Sequence, residues 1–130
     1  MDPTDQAPEP LLHVHGLMRS FDGVTVLDGV DLHVHRGETL VVLGPSGAGK
    51  SVLLKCIVGL LRPDAGEVVF RRRRIDTLPE HKLGPIRREI GFLFQLSGLF
   101  DSMTVLQNVA FPLREHLALT EAKCLDRVHA

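Results

Sequence analysis

The stretch Thr39-Leu40-Val41-Val42-Leu43-Gly44-Pro45-Ser46-Gly47-Ala48-Gly49-Lys50-Ser51 decides the fold. Its first five residues form a continuous apolar run, the pattern of a strand buried on both faces. The run leads directly into a glycine-rich loop. Beyond Lys50, the residues Val52, Leu53, Leu54, Ile57, Val58, Leu60 and Leu61 read as a mostly apolar helix, stopped by Arg62-Pro63. Strand, G-x-x-x-x-G-K-S and helix stand in the order a phosphate-binding loop requires. A triphosphate needs several donors aimed at one small volume. Glycines let the backbone curl tightly enough to supply N–H groups, and the positive end of the following helix adds to them. Lys50 can reach the terminal phosphates, and the Ser51 hydroxyl can join the shell of a Mg²⁺ ion. The expected ligand is MgATP, held by Gly44, Pro45, Ser46, Gly47, Ala48, Gly49, Lys50 and Ser51.

Upstream, Leu12 and Val14, and then Leu32 and Val34, alternate with polar residues. These read as two half-buried strands of a small antiparallel sheet, with turns at Asp22-Gly23 and Asp28-Gly29. Downstream, Glu67 to Phe70 reads as a strand and Leu83 to Glu89 as a short helix. Ile90 to Gln95 reads as a further buried strand. Thr104 to Phe111 reads as a helix ended by Pro112, and Thr120 as the cap of a last helix over Glu121 to His129. Residues 1–10, with three prolines and Asp2, Asp5 and Glu9, read as a disordered tail without the features of a signal peptide.

Several segments together resemble the ATP-binding subunits of ABC transporters, over about residues 11 to 120. Besides the glycine loop they are Arg19-Ser20-Phe21-Asp22-Gly23, Val30-Asp31-Leu32 with Arg36-Gly37-Glu38, Ile57 through Glu67, Phe94-Gln95, and Met103-Thr104-Val105 with Asn108-Val109. The resemblance implies an α/β fold of the P-loop NTPase, ABC ATPase type, with an N-terminal antiparallel β-subdomain. It implies that Phe21 stacks on adenine, where tyrosine is commoner. It also implies that Gln95 coordinates Mg²⁺ and the attacking water beside the contact with a membrane permease. The implied partners are that permease and a second ATPase subunit, at the inner face of the cell membrane. Gly49 to Lys55, Leu99 to Val105 and Phe111 to His116 resemble more narrowly the ATPases of Mla-type lipid transporters, which implies phospholipid or other hydrophobic cargo.

The family's serine-glycine-glycine signature, its Walker B strand ending in Asp-Glu and its switch histidine are not found in these 130 residues. Residues 11–130 are therefore expected to be the N-terminal part of a nucleotide-binding domain. They are expected to bind ATP but, by themselves, not to hydrolyse it, because phosphoryl transfer needs many groups acting together. A rival reading is a non-catalytic nucleotide-binding module that regulates an intact partner. A small-molecule kinase fits less well with Phe94-Gln95 and the strands before the loop.

Composition narrows the partners. Fifteen basic and sixteen acidic side chains give a net charge of -1, without general attraction for nucleic acid or anionic lipid. The best apolar stretch, Val52 to Leu61, is short and broken by Lys55, so no direct membrane span is expected. Arg71-Arg72-Arg73-Arg74 reads as a solvated hairpin tip or, more sharply, as a phosphate or headgroup patch. His13, His15, His33 and His35 form two i, i+2 pairs, which could meet on neighbouring strands as a Zn²⁺ or Ni²⁺ cluster but read as outward-facing polar positions without a metal. Leu99, Phe100 and Met103 are apolar residues of an expected loop that either pack inward or, as the family resemblance implies, form part of the groove that receives a permease helix.

Overall fold

The computed structural model describes residues 8–96 and 98–130, so most of the expected N-terminal tail lies outside the described residues. The described residues fall into two compact units, divided after Gly91.

The first unit is built on a sheet of order β2-β1-β3-β4, antiparallel throughout: β1 (Leu12–Phe21), β2 (Val24–Val34), β3 (Ala65–Phe70) and β4 (Arg73–Arg74). Asp22-Gly23 is the turn between β1 and β2, and both residues have positive φ, 48° and 78°. This is the primed turn whose twist matches a two-residue hairpin. Asp28-Gly29 is not a turn. It lies inside β2, where the register slips between Leu17↔Val30 and Arg19↔Leu27, so one extra residue bulges out. Gly29 takes φ 69° there. A second bulge at Gly16 resets the inward alternation from Val14 to Leu17, both fully buried. Its N–H donates to Asp31 Oδ1 at 2.8 Å.

That bond, and then His15 beside it, hold the Asp31 carboxyl below its ordinary value. A depressed carboxyl stabilises the fold above its unfolded pKa, and the benefit is lost as pH falls through the folded value. Asp31→Asn should therefore lower the melting temperature at neutral pH, and the gap should close as pH drops below the ordinary value of 3.8. A gap that is unchanged by acid in thermal scans would count against this role.

Helix α1 (Lys50–Ile57) packs Leu53, Cys56 and Ile57 into the core. It ends earlier than Arg62-Pro63. Gly59, at φ 73°, donates its N–H to Cys56 O, and the Leu60 N–H bonds to Lys55 O at 2.8 Å. This left-handed cap satisfies the last carbonyls before the proline is reached. Arg87, on α2 (Glu80–Arg87), adds bonds to Val58 O at 3.0 Å and Gly59 O at 2.7 Å. The same guanidinium holds Glu80 below its ordinary carboxyl value. Burial pushes the Cys56 thiol up, so it packs as a small apolar residue.

The expected strand Thr39–Leu43 does not form. This segment joins no sheet, and Leu43 is 88% exposed. Ile90–Gln95 likewise forms no strand, with Leu93 and Phe94 exposed. Both sequences are apolar enough for a buried parallel sheet, but a strand needs a neighbour for its N–H and C=O groups. Among the described residues neither segment has one.

The second unit holds α3 (Val105–Leu117) and α4 (Glu121–His129). Thr104 and Gln107 form a reciprocal capping box at the start of α3. Asn108 ties the preceding turn down, accepting from the Phe100 N–H at 2.8 Å and donating to Phe100 O, Met103 O and Thr104 O. Helix α3 does not end at Pro112 but runs through it to Leu117. The proline forfeits one helical bond, while the Phe100–Phe111 ring contact and the Arg114–Glu121 ion pair secure the flanking turns. Thr120 precedes α4 as expected, without a side-chain cap bond. No helix among the described residues is long and apolar enough to cross a membrane.

Candidate functional site

The glycine loop curls tightly just before α1. Gly47 and Gly49 take φ 80° and 93°, a region that side chains with a Cβ rarely enter. Gly49 is constrained twice. A Cβ there would lie 2.8 Å from Val26 Cγ1 and 3.0 Å from Val26 O, on β2. The loop thus packs directly against the hairpin sheet. The Ala48 N–H closes it onto Pro45 O at 3.2 Å, and the Leu53 N–H bonds to Gly49 O at 2.9 Å as α1 begins.

By helix geometry the N–H groups of Lys50, Ser51 and Val52 have no intrahelical acceptor. Gly49 provides no side-chain cap, and the first turn has no acidic residue to compete for those donors. Lys50 Nζ folds back over the loop and donates to Gly44 O at 2.5 Å and Pro45 O at 2.6 Å. Residues 44–48 and Ser51 are exposed. Free N–H donors, a helix N-terminus and a lysine ammonium therefore converge on one open loop, and this donor set fits polyanionic phosphate.

Phe21 lies at the end of β1 in the same unit, outside the core and 38% exposed. The Arg19 guanidinium covers its ring at 4.6 Å from the centroid. Arg19 in turn donates to Asp64 Oδ1 at 3.0 Å and Arg62 O at 2.9 Å, while Asp64 Oδ2 accepts the Ser20 N–H at 2.7 Å. Sequence reasoning missed Arg19 and Asp64. The i, i+2 spacing of Arg19 and Phe21 along a strand was the available signal for the first. Asp64 joins them only through the fold.

Gln95 lies in the second unit, exposed, in a turn after the T-shaped Phe92–Phe94 pair at 4.7 Å. Leu99 and Phe100 are exposed in that unit, and Met103 is half-buried.

The arginine run is the tip of the β3–β4 hairpin, with Arg71 and Arg72 at positive φ. A cleft of about 280 Å³ there is lined by Glu9, Pro10, Leu11, Arg36, Arg71 and Arg72. Arg71 is paired with Glu89, Arg72 with Glu9, and Arg74 with Glu67 and Asp76. These are mostly exposed pairs, each of which contributes little to stability. His13 and His33 face each other across β1 and β2, but His15 and His35 turn to Asp31 and Glu38. Among the described residues no three metal-ligating side chains cluster.

Residues 27–129 match the family described as ABC transporter. A methionine import ATP-binding protein, MetN, of Rhizobium johnstonii is 44% identical over 124 residues, which are 95% of this chain and 34% of that protein. A probable ribonucleotide transport ATP-binding protein, mkl, of Mycobacterium tuberculosis is 43% identical over 90% of this chain and 33% of its own length. The chain thus spans about a third of the curated relatives it matches. Among solved structures, the dimeric ATP-binding cassette MJ0796, in a post-hydrolysis state bound to ADP and Pi, superposes with a TM-score of 0.80 at 31% identity. It covers 90% of this chain and 53% of that one. The protein cbiO1 of Clostridium perfringens, part of the ABC transporter complex cbiONQ, gives a TM-score of 0.74 at 32% identity over 91% of this chain and 47% of that one. By sequence and by fold, the chain belongs to the ABC transporter family of ATP-binding domains.

Proposed function

We propose that residues 11–130 are the phosphate- and base-binding part of an ABC transporter ATP-binding subunit. The observation that carries this reading is the loop Gly44–Ser51, closed on itself beneath the Lys50 ammonium and opening into the unpaired N–H groups of α1. In this reading the loop amides and Lys50 grip the phosphates of ATP, and Phe21 stacks on the adenine. By the family resemblance Ser51 Oγ would serve as a Mg²⁺ ligand, and Gln95 is assigned the same role; the ion would neutralise phosphate charge. Gln95 also couples the site to a permease.

The subunit works with that permease and with a second ATPase subunit, peripherally on the inner face of the membrane. The dimeric state of the structural relative MJ0796 supports the pairing. Hydrolysis uses groups that these 130 residues do not themselves supply. For the cargo, the segments at Gly49–Lys55, Leu99–Val105 and Phe111–His116 argue for a Mla-like lipid substrate. The names of the relatives instead favour methionine or a ribonucleotide.

Calorimetric titration of the chain with MgATP and with AMP tests the phosphate reading. MgATP should bind far more tightly than AMP, because the loop donors converge on a polyphosphate, and AMP keeps the base but only one phosphate. Absence of MgATP binding, or equal affinity for AMP, would refute it.

A further inference from the structure

We propose that Arg19, held by Asp64, is a positioning residue for the nucleotide base. It backs one face of Phe21, so that a purine can stack only on the other. The inference rests on the reading of Phe21 as the base platform and extends it to two residues outside the glycine loop.

The geometry is specific. The Arg19 guanidinium lies 4.6 Å from the Phe21 centroid, within cation–π range. It is not a loose surface group. Its Nη1 is shared between Asp64 Oδ1 and Arg62 O. Asp64 also anchors the backbone next to Phe21 through the Ser20 N–H, and the Asp64 N–H bonds back to Met18 O at 2.8 Å. The end of β1 and the segment before β3 are thereby clamped around the platform.

One detail marks the arrangement as more than a salt bridge. Arg19 Nε is buried without a hydrogen-bond partner among the described residues, a cost that folded proteins generally avoid.

Two consequences follow for a ligand. The covered face is closed to stacking, which leaves one approach for a base. The cation also draws ring π-density toward itself, so the open face repels an electron-rich purine less. Phenylalanine has no hydroxyl with which to fix its ring, and Arg19 supplies the orientation instead. The ligand class is a purine nucleoside triphosphate, and the effect belongs to the base alone.

The test compares MgATP with magnesium tripolyphosphate, which keeps the phosphates and lacks the base, on the full chain by calorimetry. Phe21→Ala should weaken ATP by about 5- to 150-fold, the range of one lost base stack. Arg19→Ala should weaken ATP by about 2- to 5-fold, the range of an exposed cation–π contact. Neither should change tripolyphosphate affinity. Arg19→Lys should restore part of the ATP loss, because it keeps a cation over the ring. Asp64→Asn should shift ATP affinity in the same direction as Arg19→Ala. If Phe21→Ala leaves ATP affinity unchanged, the platform reading fails. If Phe21→Ala weakens ATP but Arg19→Ala does not, the platform stands and the positioning role falls. A loss by Arg19→Ala that is equal for ATP and tripolyphosphate would make Arg19 merely structural and would also overturn the proposal.

Discussion

Gly66→Ala is expected to be among the most destabilising substitutions in the first unit. Gly66 has φ +92°, and a Cβ there would lie 2.4 Å from Gly16 O, 2.6 Å from Gly16 C and 2.6 Å from Leu17 Cα. These are backbone atoms of β1, so no side chain can swing aside. β1 is bonded on both sides, to β2 and β3, and Leu17 is fully buried. Any shift therefore reaches the core. The left-handed backbone costs alanine about 1–2 kcal/mol, and the overpacking about 1–3 kcal/mol more. Urea unfolding should show a loss of about 2–5 kcal/mol against the unmodified chain.

Gly84→Ala supplies a contrast in size. Gly84 sits inside α2 without positive φ, and beyond its own chain neighbours a Cβ there meets nothing within 4 Å. Alanine gains about 0.8–1 kcal/mol in helix propensity, but Pro85 follows directly and its Cδ crowds a Cβ on a helical neighbour, so the two effects oppose and the net change should be much smaller than at Gly66. If Gly66→Ala shifts the urea midpoint no further than Gly84→Ala does, close packing at Gly66 is not what the fold depends on.

The contrast between these glycines shows what the sequence can and cannot say. Gly47 and Gly49 were legible because the surrounding pattern named both their conformation and the helix that starts at Lys50. Gly29 and Gly59 were not. A glycine with positive φ serves a turn, a bulge or a helix end equally well. Only the cross-strand register places Asp28-Gly29 inside β2, and only the bonds of Gly59 and Leu60 end α1 before Arg62-Pro63.

Hydrophobicity has a similar ambiguity. Leu40 to Leu43 and Ile90 to Phe94 announce that they suit burial, but an apolar run does not reveal whether a partner strand exists. Among the described residues both remain outside any sheet. Pro112 misled in the other direction. A proline breaks one bond of a helix, and packing on both sides of it outweighs that local cost. Of the candidate site, the loop is contiguous in sequence and could be read directly. The backing of Phe21 by Arg19 and Asp64 joins positions far apart in the chain, and no spacing rule links residue 64 to residue 19.

Lys50→Ala should lower MgATP affinity without lowering stability, and the separation of the two effects is the informative result. In the folded chain the ammonium rests on Gly44 O and Pro45 O. Both residues are exposed, so water can replace the lost donor and no carbonyl is left buried and unsatisfied. Alanine is also the best helix former, so the start of α1 is not weakened. Unfolding in urea should therefore change by less than about 0.5 kcal/mol, as for an ordinary surface substitution. Binding is different. On the proposed reading the ammonium exchanges two neutral carbonyls for charged phosphate oxygens, and charged hydrogen bonds are the stronger kind. Losing it should weaken MgATP by about 1.5–3 kcal/mol, or roughly 10- to 150-fold in Kd. Calorimetry and urea unfolding on the same two proteins separate the outcomes. Equal affinities would remove Lys50 from the nucleotide site. A stability loss as large as the binding loss would make its bonds to the loop carbonyls a structural staple instead of a phosphate grip held in waiting.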